Sequence, residues 1–119
     1  MKLLSRRIKF FERIKDRIHG KAAKGQKRAD NWLEFRDEFV RENPRCCICG
    51  SKKKLQVHHI VPFHVAPDLE LDPANLMVLC VNKKYGINCH LLVGHLGNFR
   101  RVNPSVVLDA MTWQFKLGK

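Results

Sequence analysis

The chain has 119 residues, enough for one domain with a modest core and too few for a second independent one. Lys and Arg outnumber Asp and Glu by 23 to 11, and residues 1–29 hold eleven of those basic side chains against only Glu12 and Asp16, an asymmetry that points to a polyanionic partner. No stretch reaches the roughly 18 apolar residues of a membrane span, the charged N-terminal stretch lacks the apolar run of a secretory leader, and five cysteines suit metal-bound thiolates in a reducing cytoplasm better than a disulfide framework.

Leu4, Ile8, Phe11 and Ile18 recur at helical spacing and predict an amphipathic helix over 3–19, with Arg6, Arg7, Arg13 and Arg17 around its apolar stripe. Such a helix can pack on the domain while its basic face tracks phosphates, or lie on a membrane surface. His19 at its end needs no role beyond favourable charge at a helix C-terminus. Residues 20–29 carry Lys21, Lys24, Lys27 and Arg28 and no large apolar side chain, and read as a flexible basic linker. The expected organisation is therefore an arm over 1–29 and a folded domain over 30–119.

Asp30 or Asn31 can cap a helix whose buried stripe is Trp32, Phe35 and Phe39, with Leu33 and Val40 beside it and Pro44 ending it. Cys46 to Gly50 reads as a tight turn, followed by Ser51 and the lysines 52–54 as a hairpin-like loop. Leu55, Val57 and His59 then alternate with Gln56, His58 and Ile60, the period of a strand. Pro62, Pro67 and Pro73 mark 61–74 as a loop with no regular structure of its own, and Leu76 to Leu79 suits a second strand ending at Cys80. Asn88 can cap a helix starting at Cys89, and Asn103-Pro104 starts a last one with Val107, Met111 and Phe115 as its face and Leu108 and Trp113 nearby.

Cys46-x-x-Cys49 sets two sulfurs on one side of a turn, and Cys80 and Cys89, with eight residues between them, form a second pair. Two thiolate pairs make a tetrahedral structural zinc site. Cys47, lying between ligands, is expected to point away from that metal and pack.

His58-His59 at a strand end, Asn75 further on, and His90 directly after a candidate ligand cysteine resemble the HNH nuclease family. The segments carrying the resemblance are LQVHHIVPFH from Leu55, LDPANLMVLC from Leu71 and CHLLVGH from Cys89, within about residues 30 to 105. The resemblance implies an α+β fold: a small ββα-metal, treble-clef-like core with a structural zinc and flanking helices. It makes His59 the general base, His58 and His90 ligands of a catalytic divalent ion such as Mg²⁺, Mn²⁺, Ni²⁺ or Zn²⁺, and Asn75 the brace of the loop that orients His59. The family usually places two residues between the second pair of cysteines; the VNKKYGIN inserted here resembles an extended-knuckle subgroup of phage-related proteins, encoded by bacteria or phage.

Phosphodiester hydrolysis fits those assignments, because it needs a water activated from one side and an electrophile on the other. Neighbouring strand residues face opposite ways, so His58 can turn to a metal while His59 faces the water. An imidazole with a pKa near ~6.5 accepts a proton at neutral pH, so the rate should fall on acidification, and the Asn75 amide can both donate and accept. His64 and His95 lie near the motif without a place in it, as added metal ligands, phosphate contacts or helix caps. His95 stands five residues after His90, not the four that aligns two ligands on a helix face.

The expected partner is DNA, bound mainly through phosphates by the arm and by Lys52, Lys53, Lys54, Lys83, Lys84, Arg100 and Arg101, with weak sequence preference and a steep salt dependence. No membrane and no small-molecule substrate is expected, and the protein would act as a monomer or homodimer. One alternative is a zinc-containing DNA-binding module without catalysis, which leaves His58, His59 and His90 unexplained. A second is an interaction or membrane-surface protein working through its N-terminal helix, which ignores residues 46–95.

Overall fold

A computed structural model describes residues 27–82 and 88–118. The expected arm helix with Arg6, Arg7, Arg13, Arg17 and His19, most of the linker, and Lys83 and Lys84 lie outside the described residues. Among the described residues no helix is long and apolar enough to cross a membrane.

Helix α1 runs over Trp32–Glu42. The expected side-chain cap from Asp30 or Asn31 is not made: the Trp32 N–H donates to the Ala29 carbonyl and that of Phe35 to the Asn31 carbonyl, while Asp30 stands 3.5 Å from the Lys27 ammonium. The helix stops at Asn43, whose backbone N–H and side-chain amide both donate to the Phe39 carbonyl at 3.0 and 2.9 Å, just before Pro44. Phe39 is buried, with Trp32, Phe35 and Val40 packed against it, whereas Leu33 faces outward.

Strands β1 (Leu55–His59) and β2 (Leu76–Cys80) pair antiparallel, with Leu55 opposite Cys80, Val57 opposite Val78, His58 opposite Met77 and His59 opposite Leu76. A two-stranded ribbon is marginal alone, and here both its faces are covered. Leu76 and Val78 pack with Phe39 of α1, while Met77 and Leu79 join Ile48, Val93, Val106 and Ala110 in a second cluster. The fully buried β2 is thus the central layer of a small α+β fold.

Residues 61–74 are more regular than expected. Two short 3₁₀ turns, Pro67–Leu69 and Pro73–Asn75, interrupt them. Proline presets φ at the start of each turn, and the Asp72 carboxylate caps the second by accepting from the Ala74 N–H at 2.9 Å.

After residue 88 the chain enters a helical turn at Cys89, with the Asn88 side chain accepting from the Leu91 N–H at 2.9 Å. The turn widens to π geometry over His90–Gly94. Helix α2 covers Val106–Lys116, preceded by Asn103, whose side-chain oxygen accepts from the Ser105 N–H. Its buried residues are Val106, Val107 and Ala110, and the Gln114 side chain donates to the Cys47 carbonyl. Phe115, expected on the buried face, is 85% exposed. The core-facing stripe runs through 107, 110, 111 and 114, and Phe115 stands one helical step beyond it on the last turn, past the edge of the core. Two antiparallel strands, a helical turn and flanking helices are the expected ββα architecture.

Candidate active site

Among the described residues two groups of side chains are close enough to hold a metal ion: Cys46, Cys49, Cys80 and Cys89, and His58, His90 and His95. Within each group the candidate ligand atoms all lie within 4.8 Å of one another.

The cysteines meet because three elements converge. The Gly50 N–H donates to the Cys46 carbonyl at 2.9 Å, closing the turn, and Gly50 takes φ +77°, a left-handed conformation that glycine adopts without a Cβ penalty. The Cys47 N–H donates to the Val78 carbonyl at 3.0 Å and fastens this turn to β2, whose last residue is Cys80. Cys89 opens the helical turn. A tetrahedral ion with metal–sulfur bonds of about 2.3 Å spaces its sulfurs about 3.8 Å apart, and the Cys49 and Cys80 sulfurs are 3.5 Å apart. The Cys46–Cys89 contact draws the Cys46 thiol down to about 4 and drives the Cys89 thiol up. Four sulfurs this close cannot all ionise without a cation among them, so the donor set fits a metal. Cys47 is outside the cluster and packs against the core.

The histidine group has the same signature. The His95 Nδ1 stands 2.9 Å from the Arg101 carbonyl, which can only accept, so Nδ1 carries the proton and Nε2 the lone pair. The His90 Nδ1 likewise stands 2.8 Å from the Gln56 Oε1, leaving its Nε2 as an acceptor. The two Nε2 atoms face each other at 3.2 Å. Two lone pairs at that distance repel unless a proton or a metal cation lies between them. Burial, then the neighbouring His95, lowers the His90 pKa to about 4, which disfavours the proton at neutral pH. His58 is buried, and burial, followed by His90 and His95, holds it well below the usual imidazole value. Three imidazoles whose ligand atoms lie within 4.8 Å of one another are a ligand set for a divalent ion.

His59 points to the other side of the strand. Its ring lies 4.8 Å from that of Trp32, and its Nε2 is 3.1 Å from the Glu70 carbonyl. That carbonyl requires the proton on Nε2, which leaves Nδ1 as the free acceptor. Asn75 is fully buried: its Oδ1 accepts from the Val61 N–H at 2.8 Å, and its Nδ2 donates to the Val61 and Leu69 carbonyls at 3.1 and 3.2 Å. The segment after β1, including the residue next to Glu70, is thereby tied to the start of β2.

A cleft of about 420 Å³ reaches both His59 and the histidine group, with Phe63, His64, Phe99, Arg100 and Arg101 also on its walls. His64 is exposed there and is not one of the grouped imidazoles. Lys52, Lys53 and Lys54 are exposed at the opposite end of β1 from His59, about 13 Å along the strand, so they are not brought to the cleft.

Several site residues escaped sequence reading. Gln56 lies two positions before His58 and hence on the same strand face, a signal the period of two offered. Gly94 gives space: a Cβ there would stand 3.2 Å from the His58 Nδ1 and 3.2 Å from the His90 Cδ2. The spacing of Trp32 marks a helix stripe and not a neighbour of His59, and Arg28 and Glu70 carry no recognisable spacing.

Residues 46–94 match the family model described as HNH endonuclease. This segment contains the four cysteines, His58, His59, Asn75 and His90, and ends one residue before His95. No curated protein and no solved structure matches the chain.

Proposed function

We propose that this chain, whose residues 46–94 match the HNH endonuclease family model, is a metal-dependent DNA endonuclease. His59 is its general base, His58, His90 and His95 hold a catalytic divalent ion, and the four cysteines hold a structural zinc. The observation that carries the reading is the pair of Nε2 lone pairs facing each other at 3.2 Å in a cleft that also reaches His59.

In the reaction a water attacks phosphorus as its proton passes to the His59 Nδ1, the new P–O bond forms, and the bond to O3′ breaks in line with it. The Glu70 carbonyl keeps the accepting nitrogen of His59 unprotonated. Asn75 holds the loop that carries that carbonyl. A bound divalent ion supplies positive charge for the phosphate oxygens and the departing O3′. Three imidazoles suit Zn²⁺ or Ni²⁺ better than Mg²⁺, which favours oxygen ligands. Residues 30–119 form the nuclease domain and 1–29 a DNA-binding arm whose last residues, Arg28 and Ala29, are bonded to Glu70 of that domain, with Arg6, Arg7, Arg13 and Arg17 on phosphates and Arg100 and Arg101 at the cleft itself.

The test is cleavage of supercoiled plasmid with Mg²⁺, Mn²⁺, Ni²⁺ or Zn²⁺ added in turn, alongside DNA binding. Wild type should cut, while His59→Ala should bind with similar affinity and cut at least about 100-fold more slowly. Wild type that binds DNA but stays inert with every metal would make the protein a zinc-containing binding module instead.

A further inference from the structure

Glu70 is a carboxylate only 4% exposed, and such a group needs a partner to remain charged. Its Oε2 accepts from Arg28 Nη1 at 3.0 Å and its Oε1 from the Ala29 N–H at 2.8 Å, so both the head group and the backbone of this short segment are fixed from one side. The Arg28 guanidinium carbon lies 4.3 Å from the Phe63 ring centre and 5.1 Å from that of Trp32, two aromatic faces that restrict the plane of the fork. Trp32 in turn stacks on His59, and the Glu70 carbonyl bonds His59. One buried residue therefore sets the position of both Arg28 and His59 on the same cleft.

We propose that Arg28 is a phosphate ligand of the cleavage site, a planar fork that Glu70 holds ready on the His59 side of the cleft to grip the DNA backbone. A guanidinium has five N–H groups, and among contacts between described residues Glu70 takes one. The Arg28 side chain remains 46% exposed, as a group that must meet a ligand requires. The fork matches two oxygens of one phosphate, which a lysine cannot do. The histidine group and Arg28 line the same cleft, so its cation site and a fixed positive charge share one space. Arg28, which lines the cleft, and Ala29 and Trp32, which lie beside it in the chain, are all upstream of the matched segment 46–94, so the cleft includes a residue that the family match leaves out. The proposal rests on the nuclease reading, but its phosphate contact can be measured without cleavage.

The experiment compares wild type, Arg28→Gln and Arg28→Lys in the full chain, checking metal content and melting temperature of each. Affinity for a short duplex is measured from 50 to 200 mM salt without added divalent ion, and cleavage is measured separately with the active metal. Arg28→Gln should lower the slope of log affinity against log salt by about 0.9, one phosphate contact, and cleave about 100-fold more slowly. Arg28→Lys should keep most of the slope and lose about tenfold in cleavage, because charge remains and the fork is gone. An unchanged slope in a folded Arg28→Gln protein would overturn the proposal. If that variant unfolds, Arg28→Lys decides, and cleavage at the wild-type rate overturns it. Wild type that binds but never cuts defeats the nuclease reading alone, and the slope difference still decides the phosphate contact.

Discussion

Asn75 uses its acceptor and both its donors on backbone groups of a segment without a sheet partner. Asn75→Ala leaves the buried Val61 N–H and carbonyl unpaired, while the Leu69 carbonyl keeps the Asp72 N–H at 3.3 Å; at about 1–3 kcal/mol for each lost partner, partly offset by relaxation, the expected loss is about 3 kcal/mol, read by denaturant unfolding at fixed metal content. His59 is a residue whose charge state is set by its surroundings. Burial lowers its pKa from the usual 6.5 and Arg28 adds to the effect, while the bond to the Glu70 carbonyl opposes them. A base with a lowered pKa stays neutral further into acid. The cleavage rate at saturating metal should therefore hold level down to below pH 6.5, then fall about tenfold per unit as His59 protonates. A rate already halved above pH 6.5 would remove His59 from the role of base.

The widened turn over His90–Gly94 is the element that makes the histidine group possible. In an α-helix, residues five apart stand about 140° round the axis from each other; a π turn, with more residues per turn, brings them nearer one face. This is why His95 was hard to place from sequence, where only α spacing could be assumed. The strands were readable because period-two alternation separates His58 from His59 whatever the loops do. Convergence of the cysteines was readable from the C-x-x-C turn. The pairing of Gln56 with His90 and of Glu70 with Arg28 was not, since each depends on how distant segments dock, and the face of α2 was misread because the core ends before its last turn. The same turn yields a test. A Cβ on Gly94 would meet Leu79 Cδ1 at 3.1 Å as well as two of the imidazoles, so those neighbours must give by a few tenths of an ångström. Gly94→Ala should lower affinity at the histidine site about tenfold while the cysteine metal stays. Metal content per chain measured after dialysis checks this, and two tightly held ions per chain would refute it.

Across the whole molecule, the cysteine cluster joins the turn at 46–49, the end of β2 and the first residue of the turn that presents His90. The ribbon β1–β2 cannot stand alone, and a chain of 119 residues has little core in reserve. A metal at the cysteines therefore does more than add stability: it fixes the backbone from which one wall of the cleft is built. Dependence should run in one direction. Cys89→Ser should lose the cysteine metal, melt at a markedly lower temperature, and bind metal poorly at the histidines, because His90 is no longer held opposite His58. His90→Ala should lose the histidine metal only and keep its fold, since His90 lies on the cleft side of the turn, while Cys47→Ser should retain both ions. Metal content, melting temperature and cleavage measured on the three variants separate the cases. A Cys89→Ser protein that still holds its histidine-site ion at wild-type affinity would show two independent metal centres and end the argument that the cysteines build the cleft.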